Sequence, residues 1–374
     1  MRIAVNTRLL LKDRLEGIGR FTLELISRIA IAHPEHDFIF IFDRKFDEKF
    51  IFSKNVQAVV VGPQARHPIL FIVWFEISVR YILKKYKADI FISPDGFLSL
   101  SSKITAIAVM HDLNFEHNPE DIPFLVRVYY KFFFPRFAAK AQKIVTVSDF
   151  SRQDIIKIYS QIPSKVDVVY NGVNLIYSPL EAIEKQQVRD KYTQGNEYFI
   201  FVGALHQRKN LVNLFLAFDK YKSNSGNSVK LMIVGNKMWW TKQIENTYNS
   251  LSFKEDVVFH NHMSTSELRQ VYGSAIALTY VSLFEGFGIP IIESFACGTP
   301  VITSNITSMP EVAAQAAILV NPLNIDEISE AMHNVETDKI LRDKLIELGL
   351  ERAKYFSWDD SAVKLWKIIC EINS

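Results

Sequence analysis

Cysteine is nearly absent: the 374 residues hold only Cys297 and Cys370. Two isolated thiols exclude a disulfide framework and lack the paired spacing of a zinc site, and they fit a reducing compartment. Long apolar runs are missing too. The most apolar stretch, residues 69–83, is broken by Glu76 and Arg80, short of the roughly 18 apolar residues a bilayer span needs. The first residues, MRIAVNTRLLLKDR, have no extended apolar core and no small-residue cleavage site, so no secretory leader is expected there. No G-x-x-x-x-G-K-[ST] loop occurs, which removes the P-loop enzymes. An excess of one charge sign is also lacking, the formal net charge being +2. Residues 1–174 hold 24 Lys/Arg against 18 Asp/Glu, a balance of +6, and residues 175–374 hold 19 against 23, a balance of −4. That asymmetry suggests two domains but is far from a nucleic-acid-binding stripe. The expectation is a soluble cytoplasmic enzyme or binding protein with no nucleic-acid partner.

What the chain does have is a rhythm. Short runs of Val, Ile and Phe at 2–6, 38–43, 56–61, 89–93, 104–110, 143–148 and 166–170 alternate with helical patterns. After residue 197 the runs resume at 198–203, 230–235, 257–260, 275–282, 300–304 and 317–320. Continuous apolar strands alternating with helices predict parallel α/β sheets buried on both faces. Thirteen strands exceed one ordinary open sheet. The polar segment 175–195 is the break, so the reading is two Rossmann-like, doubly wound parallel-sheet domains facing a central cleft. The expected divisions are 1–178, 179–356 and a last helix, 357–374, that crosses back to the first domain. Ligands of such sheets sit beyond the strands' carboxyl ends.

Three segments fall at such ends, and a fourth, GIGR, follows the strand 2–6 through a longer loop. In AIALTYVSLFEGFGIPIIESFACGTPVITSN a strand runs to about Val281, a loop holds Gly286, Phe287 and Gly288, Ile289 and Pro290 open a helix, and Gly298 ends it. Pro is tolerated early in a helix and Gly at its end. The EGFG backbone amides and the helix terminus make an anion site of phosphate type. Glu285 and Glu293 beside it suit hydroxyl groups, which sugars and ribose supply; the plainer readings are a solvated loop acid and an acid favoured by the helix dipole. In HQRKN, Arg208 and Lys209 would face the same anion, against the plainer reading of a solvated basic loop. His111 ends the strand 104–110, where a hydrogen-bonded structural histidine is the usual alternative. Gly17 and Gly19 would permit close approach to phosphate or serve as a hinge. As a dinucleotide fingerprint GIGRFT fails, because the third glycine is Thr22.

The segment EGFGIPIIESFACGTPVITSN resembles the E-x(7)-E signature of the retaining glycosyltransferases of family four, which have the GT-B fold. GIGRFTLEL, HDLNF, TVSDFSRQDI, VYNGV, FVGALHQRKNL and SMPEVAAQAAILVNPLN match in order and spacing along nearly the whole chain. The resemblance implies that Glu285 binds the transferred sugar, Glu293 the nucleotide ribose, Arg208 and Lys209 the diphosphate, and His111 the neighbourhood of the donor sugar. Backbone at Gly203, Val234–Gly235, His262–Met263 and Gly286–Ile289 would complete the donor site. Some relatives carry an Arg directly after VG where this chain has Ala204, which leaves the clamp to the later pair. Glycosyltransferases of the other common fold hold a divalent metal on an Asp-x-Asp pair, and none occurs here, so no cofactor and no divalent metal are expected. The nearest likeness is to bacterial mannosyltransferase-like enzymes of surface polysaccharide synthesis. GDP-mannose is therefore the favoured donor, and the acceptor is a saccharide or lipid-linked saccharide. The rival readings are a non-catalytic nucleotide-sugar-binding protein and a sugar-nucleotide epimerase or phosphorylase of the same fold.

Residues 124–143, FLVRVYYKFFFPRFAAKAQK, hold five basic residues, seven aromatics and no acid. Arg127 and Lys131 share one helical face and Arg136, Lys140 and Lys143 another, with Pro135 expected to interrupt between them. Either the aromatics form core under snorkelling basic stems, or the segment meets a membrane surface from the cytoplasmic side.

Overall fold

The Val/Ile/Phe runs become strands; those inside each sheet are almost wholly buried, as a sheet covered on both faces requires, whereas the edge strands Val56–Val60, Val166–Val168, Val257–His260 and Ile318–Val320 are partly exposed. The computed structural model describes residues 1–12, 15 and 17–373. They form two compact units, Met1–Asn171 with Ser357–Ser374, and Gly172–Phe356. The first unit holds β1 (Arg2–Asn6), β2 (Asp37–Phe42), β3 (Val56–Val60), β4 (Ile90–Ser93), β5 (Thr105–Val109), β6 (Lys143–Thr146) and β7 (Val166–Val168). The second holds β8 (Tyr198–Val202), β9 (Lys230–Val234), β10 (Val257–His260), β11 (Ala277–Tyr280), β12 (Val301–Ser304) and β13 (Ile318–Val320).

The sheet orders are β3-β2-β1-β4-β5-β6-β7 and β10-β9-β8-β11-β12-β13. Neighbours pair in parallel, so each unit is the expected doubly wound parallel sheet. In both, the chain fills one side of the first strand and then returns to its other side. The switch points therefore lie at the carboxyl ends of β1 and β4, and of β8 and β11.

The chain leaves the first unit at Asn171, a few residues before the expected division after 178. The reason is local packing. Val173 donates to the Phe356 carbonyl at 3.0 Å, the Tyr177 ring meets Tyr272, and Leu180 fills the space over Gly273. The last helix, Trp358–Glu371, belongs to the first unit. It packs on the Gly17–Ala32 helix through Phe21 and Trp358 and through an ion pair of 2.6 Å between Arg28 and Asp359.

One expectation is corrected. Pro135 does not interrupt its segment: the helix Phe124–Lys140 runs through it. Its inner face, Tyr129, Phe134 and Phe137, joins a core with Phe71, Trp74, Phe75 and Phe97. That packing overrides the backbone hydrogen bond a proline removes, and the Arg136 guanidinium donates to the Phe132 carbonyl nearby.

Candidate active site

The switch point of the second sheet carries the chemistry. The chain leaves β8 through Gly203 and forms a short turn, Gln207–Lys209, capped by His206, whose Nδ1 accepts the Arg208 N–H at 3.2 Å. Asn210 follows with φ +61°, a left-handed conformation that asparagine tolerates. Its amide donates to the carbonyls of Val281, 2.9 Å, and Pro322, 2.7 Å. Leu283 N–H donates to the Arg208 carbonyl at 2.8 Å. The basic turn is thus stapled to the loop that leaves β11.

Those staples bring three predicted residues together. Arg208 Nη1 lies 3.1 Å from Glu285 Oε2 and donates to the Phe284 carbonyl at 3.0 Å. Lys209 Nζ donates to Glu285 Oε1 and, at 2.6 Å, to the Tyr280 hydroxyl, which itself donates to Glu285 Oε1 at 3.0 Å. Lys209 and Glu285 are both buried. Burial alone would raise the Glu285 carboxyl, but the charges of Lys209 and Arg208 outweigh it and hold the group at about 2. Burial pushes the Tyr280 phenol well above its ordinary range, and Glu285 adds to that. At neutral pH the cluster is two cations around one carboxylate, net positive and therefore suited to an anion bearing hydroxyl groups.

Glu293 has a separate anchor. The helix Ile289–Ala296 starts from Gly288 at φ +95°, and no side chain caps it. Glu293 is its fifth residue, buried, and accepts the Tyr272 hydroxyl at 3.2 Å. It is neither a solvated acid nor in the first turn, where the helix dipole acts most strongly.

The remaining predicted residues fall into two groups. In the second unit, a Cβ on Gly235 would meet the Gly203 carbonyl at 1.9 Å, so the exits of β8 and β9 press together and need a glycine there. Gly286 and Phe287 are buried, Phe287 packing edge-on against Phe356, and beyond β10 His262 is exposed and Met263 buried. In the first unit, His111 follows β5, and its Nε2–H donates to the Pro94 carbonyl at 2.9 Å. Burial lowers its basicity, so at neutral pH it is an uncharged ring with Nδ1 as the acceptor nitrogen. Gly17 and Gly19 open the first helix; a Cβ at Gly19 would come within 2.7 Å of the Leu9 carbonyl, whereas Gly17 faces open space.

Several residues escape the sequence reading. Tyr280 reads simply as a strand former. Asn210 could have been found as a residue able to turn left-handed just before an apolar helix. Ser308, whose hydroxyl donates to the Glu285 carbonyl at 2.9 Å, announces itself as Ser before Met-Pro at a helix start. At the first sheet's switch point, Arg8 pairs with Asp95 at 2.6 Å, both nearly buried, and Asn6 donates to Asp95 at 2.8 Å.

Comparison with known proteins adds identity to this geometry. Residues 183–352 match the family described as glycosyl transferases group 1, and residues 15–176 match glycosyltransferase family 4. The O-antigen chain mannosyltransferase B of Escherichia coli is 27% identical over 367 residues, covering 94% of each chain. The O-antigen chain mannosyltransferase RfbU of Salmonella typhimurium is 32% identical over 227 residues, 61% of this chain and 60% of that one. The structure of Anabaena HepE in complex with UDP-glucose superposes with a TM-score of 0.77 at 14% identity, covering 99% of this chain and 100% of that one, which establishes the shared fold. With both halves matched and the GT-B architecture in place, the chain belongs to glycosyltransferase family four.

Proposed function

We propose that the protein is a retaining, metal-independent mannosyltransferase that moves mannose from GDP-mannose to a saccharide or lipid-linked saccharide. The observation that carries this reading is the cluster at the β8/β11 switch point, in which half-buried Arg208 and buried Lys209 and Tyr280 meet buried Glu285. Mannose as the sugar is supported by the full-length likeness to a mannosyltransferase, and a nucleotide-linked donor by the UDP-glucose held by a protein of the same fold.

In this mechanism the donor diphosphate approaches the Arg208 and Lys209 cations while Glu285 accepts a hydroxyl of the sugar. Glu293 takes the ribose hydroxyls, and the backbone near Gly235 and Met263 meets the base. The bond between the anomeric carbon and the phosphate oxygen breaks, and its electron pair stays on the diphosphate. The two cations stabilise that developing charge, the work a divalent ion does elsewhere. The acceptor oxygen bonds the anomeric carbon on the same face, and its proton passes to the departing phosphate oxygen. His111 is an uncharged ring, a hydrogen-bonding group and not a charged one.

The test is turnover of GDP-mannose with a lipid-linked saccharide in excess chelator, with the anomeric configuration of the product read by NMR. Full activity in chelator and an α product are expected. Activity that vanishes in chelator and returns with magnesium or manganese overturns metal independence, and a β product overturns retention.

A membrane contact completes the reading. No helix among the described residues is long and apolar enough to cross a membrane. Two helical stretches of the first unit nevertheless share one core and leave large apolar side chains outside: Ile69, Ile72, Ile77 and Tyr81 on 68–85, and Phe124, Leu125, Val128 and Phe132 on 124–140. Exposed Arg80, Lys84, Lys85, Lys131 and Arg136 accompany them. The one acid within either stretch, Glu76, is bound by the Leu100 and Ser101 N–H groups. Apolar side chains among cations suit an anionic lipid surface.

A further inference from the structure

The turn after β9 has a fixed inner face and an open outer one. Within Lys237–Trp239 and the residue after it, the Lys237 ammonium lies 4.2 Å over the Phe259 ring and 4.8 Å over Trp240. Trp240 packs against Phe259, with ring centres 5.7 Å apart, and against Phe215 and Tyr248. These anchors hold the turn still while Met238 and Trp239 remain 55% and 50% exposed. The core gains little from Trp239. A half-exposed indole on a well-anchored turn is a surface for a flat ligand.

Its neighbours say which part of a ligand would reach it. The Trp239 ring lies 5.7 Å from that of His206, the residue that caps the Arg208–Lys209 turn. Across the sheet edge, the order β10-β9-β8-β11 puts Glu285 beyond β11, the two cations beyond β8, Trp239 beyond β9 and His262 beyond β10. A donor with its sugar at Glu285, its diphosphate at Arg208 and Lys209 and its ribose at Glu293 has only its base left for the β9–β10 side.

We propose that Trp239, with His206 beside it, is the aromatic platform on which the nucleobase of the donor stacks, and that it favours purines over pyrimidines. This rests on the donor reading above and adds a side-chain contact to a subsite otherwise made of backbone. A purine presents the larger ring face to the indole, so guanosine diphosphate gains more from it than uridine diphosphate does.

Calorimetry with guanosine diphosphate, uridine diphosphate and inorganic pyrophosphate on the wild type, Trp239→Phe and Trp239→Ala tests the platform. Trp239→Ala is expected to weaken guanosine diphosphate by about five- to 150-fold, the range for removing one base–aromatic stack. Uridine diphosphate should lose less and pyrophosphate nothing, while Trp239→Phe, which keeps a ring, should stay close to the wild type. Binding of guanosine diphosphate should also quench tryptophan emission in the wild type and much less in Trp239→Phe. Unchanged guanosine diphosphate affinity in Trp239→Ala, or an equal loss for pyrophosphate, overturns the platform and leaves the donor reading standing. Failure of the wild type to bind any nucleoside diphosphate overturns both.

Discussion

Burying Lys209 and Glu285 removes two charges from water, at several kcal/mol each, and only close geometry with full hydrogen bonding offsets that cost. Arg208 and Tyr280 complete the geometry. The arrangement divides the labour of the two glutamates. Glu285→Gln removes the internal counter-ion of both cations, so nucleoside diphosphate affinity should be kept or even rise, while turnover falls because the sugar contact is lost. Glu293→Gln should instead weaken the nucleoside diphosphate by about ten- to a hundred-fold, as expected when a charged hydrogen-bond acceptor is lost. Calorimetry with steady-state kinetics decides it, and a Glu285→Gln variant that loses diphosphate binding refutes the assignment. Acid adds an independent signature. Glu285 sits at about 2 in the fold against an ordinary 4.5, so the stability it contributes is present above 4.5 and is lost as pH falls towards 2. Melting temperatures of the wild type should drop through that window more steeply than those of Glu285→Gln; parallel curves refute the linkage. At this scale the sequence was most legible where a charged residue follows a strand, as at Arg208, Lys209 and Glu285. It was least legible at Tyr280, whose hydroxyl points into the cluster from a strand where any aromatic residue would look at home.

Helical periodicity in 124–143 located two basic faces but not the side that would be covered. Coverage depends on the stretch 68–85, nearly 40 residues earlier in the chain, whose Phe71 ring centre lies 5.6 Å from that of Tyr129. The same contact explains why Pro135 fails to end its helix, since the aromatics on either side of it are already committed to a shared core. Beneath that core Arg8 pairs with Asp95 and lies 5.2 Å from the Phe71 ring centre and 4.8 Å from that of Phe97. The inner faces are therefore pinned, and substitutions on the outer faces should leave the fold intact. Replacing Phe124 and Leu125 together by Glu is expected to lower binding to vesicles of anionic phospholipid by at least about tenfold, because apolar burial is lost and two like charges meet the surface. The wild type should sediment with anionic vesicles and far less with neutral phosphatidylcholine ones. Equal binding to both, or no loss in the double variant, removes the membrane surface as the occupant of these faces.

At the scale of the molecule, the alternation of apolar runs with helices was enough to read two doubly wound sheets, because strands buried on both faces leave no polar alternation to confuse them. The exact division was not legible, since residues 172–180 look like linker but pack on the second unit. The chain's return has a thermodynamic consequence. The helix Trp358–Glu371 buries Trp358, Leu365, Ile368 and Ile369 in the first unit, and Ser361 donates to the Tyr170 carbonyl at 2.8 Å. Burial of such side chains is worth about 1.5–3 kcal/mol each, so together they approach the roughly 5–15 kcal/mol that stabilises a whole domain. A chain ending at Phe356 should therefore lose the packed state of its first unit. The second unit keeps its sheet and the whole Arg208–Lys209–Glu285 cluster, so it should still melt as a unit. Guanosine diphosphate at 100 times its dissociation constant should still raise that transition, by the equivalent of about 2.7 kcal/mol. Calorimetric melts of the full and shortened chains, with and without the nucleotide, make the comparison. A shortened chain that retains both transitions means the last helix contributes little to the first unit. One that loses both shows that the second unit cannot hold its donor site alone.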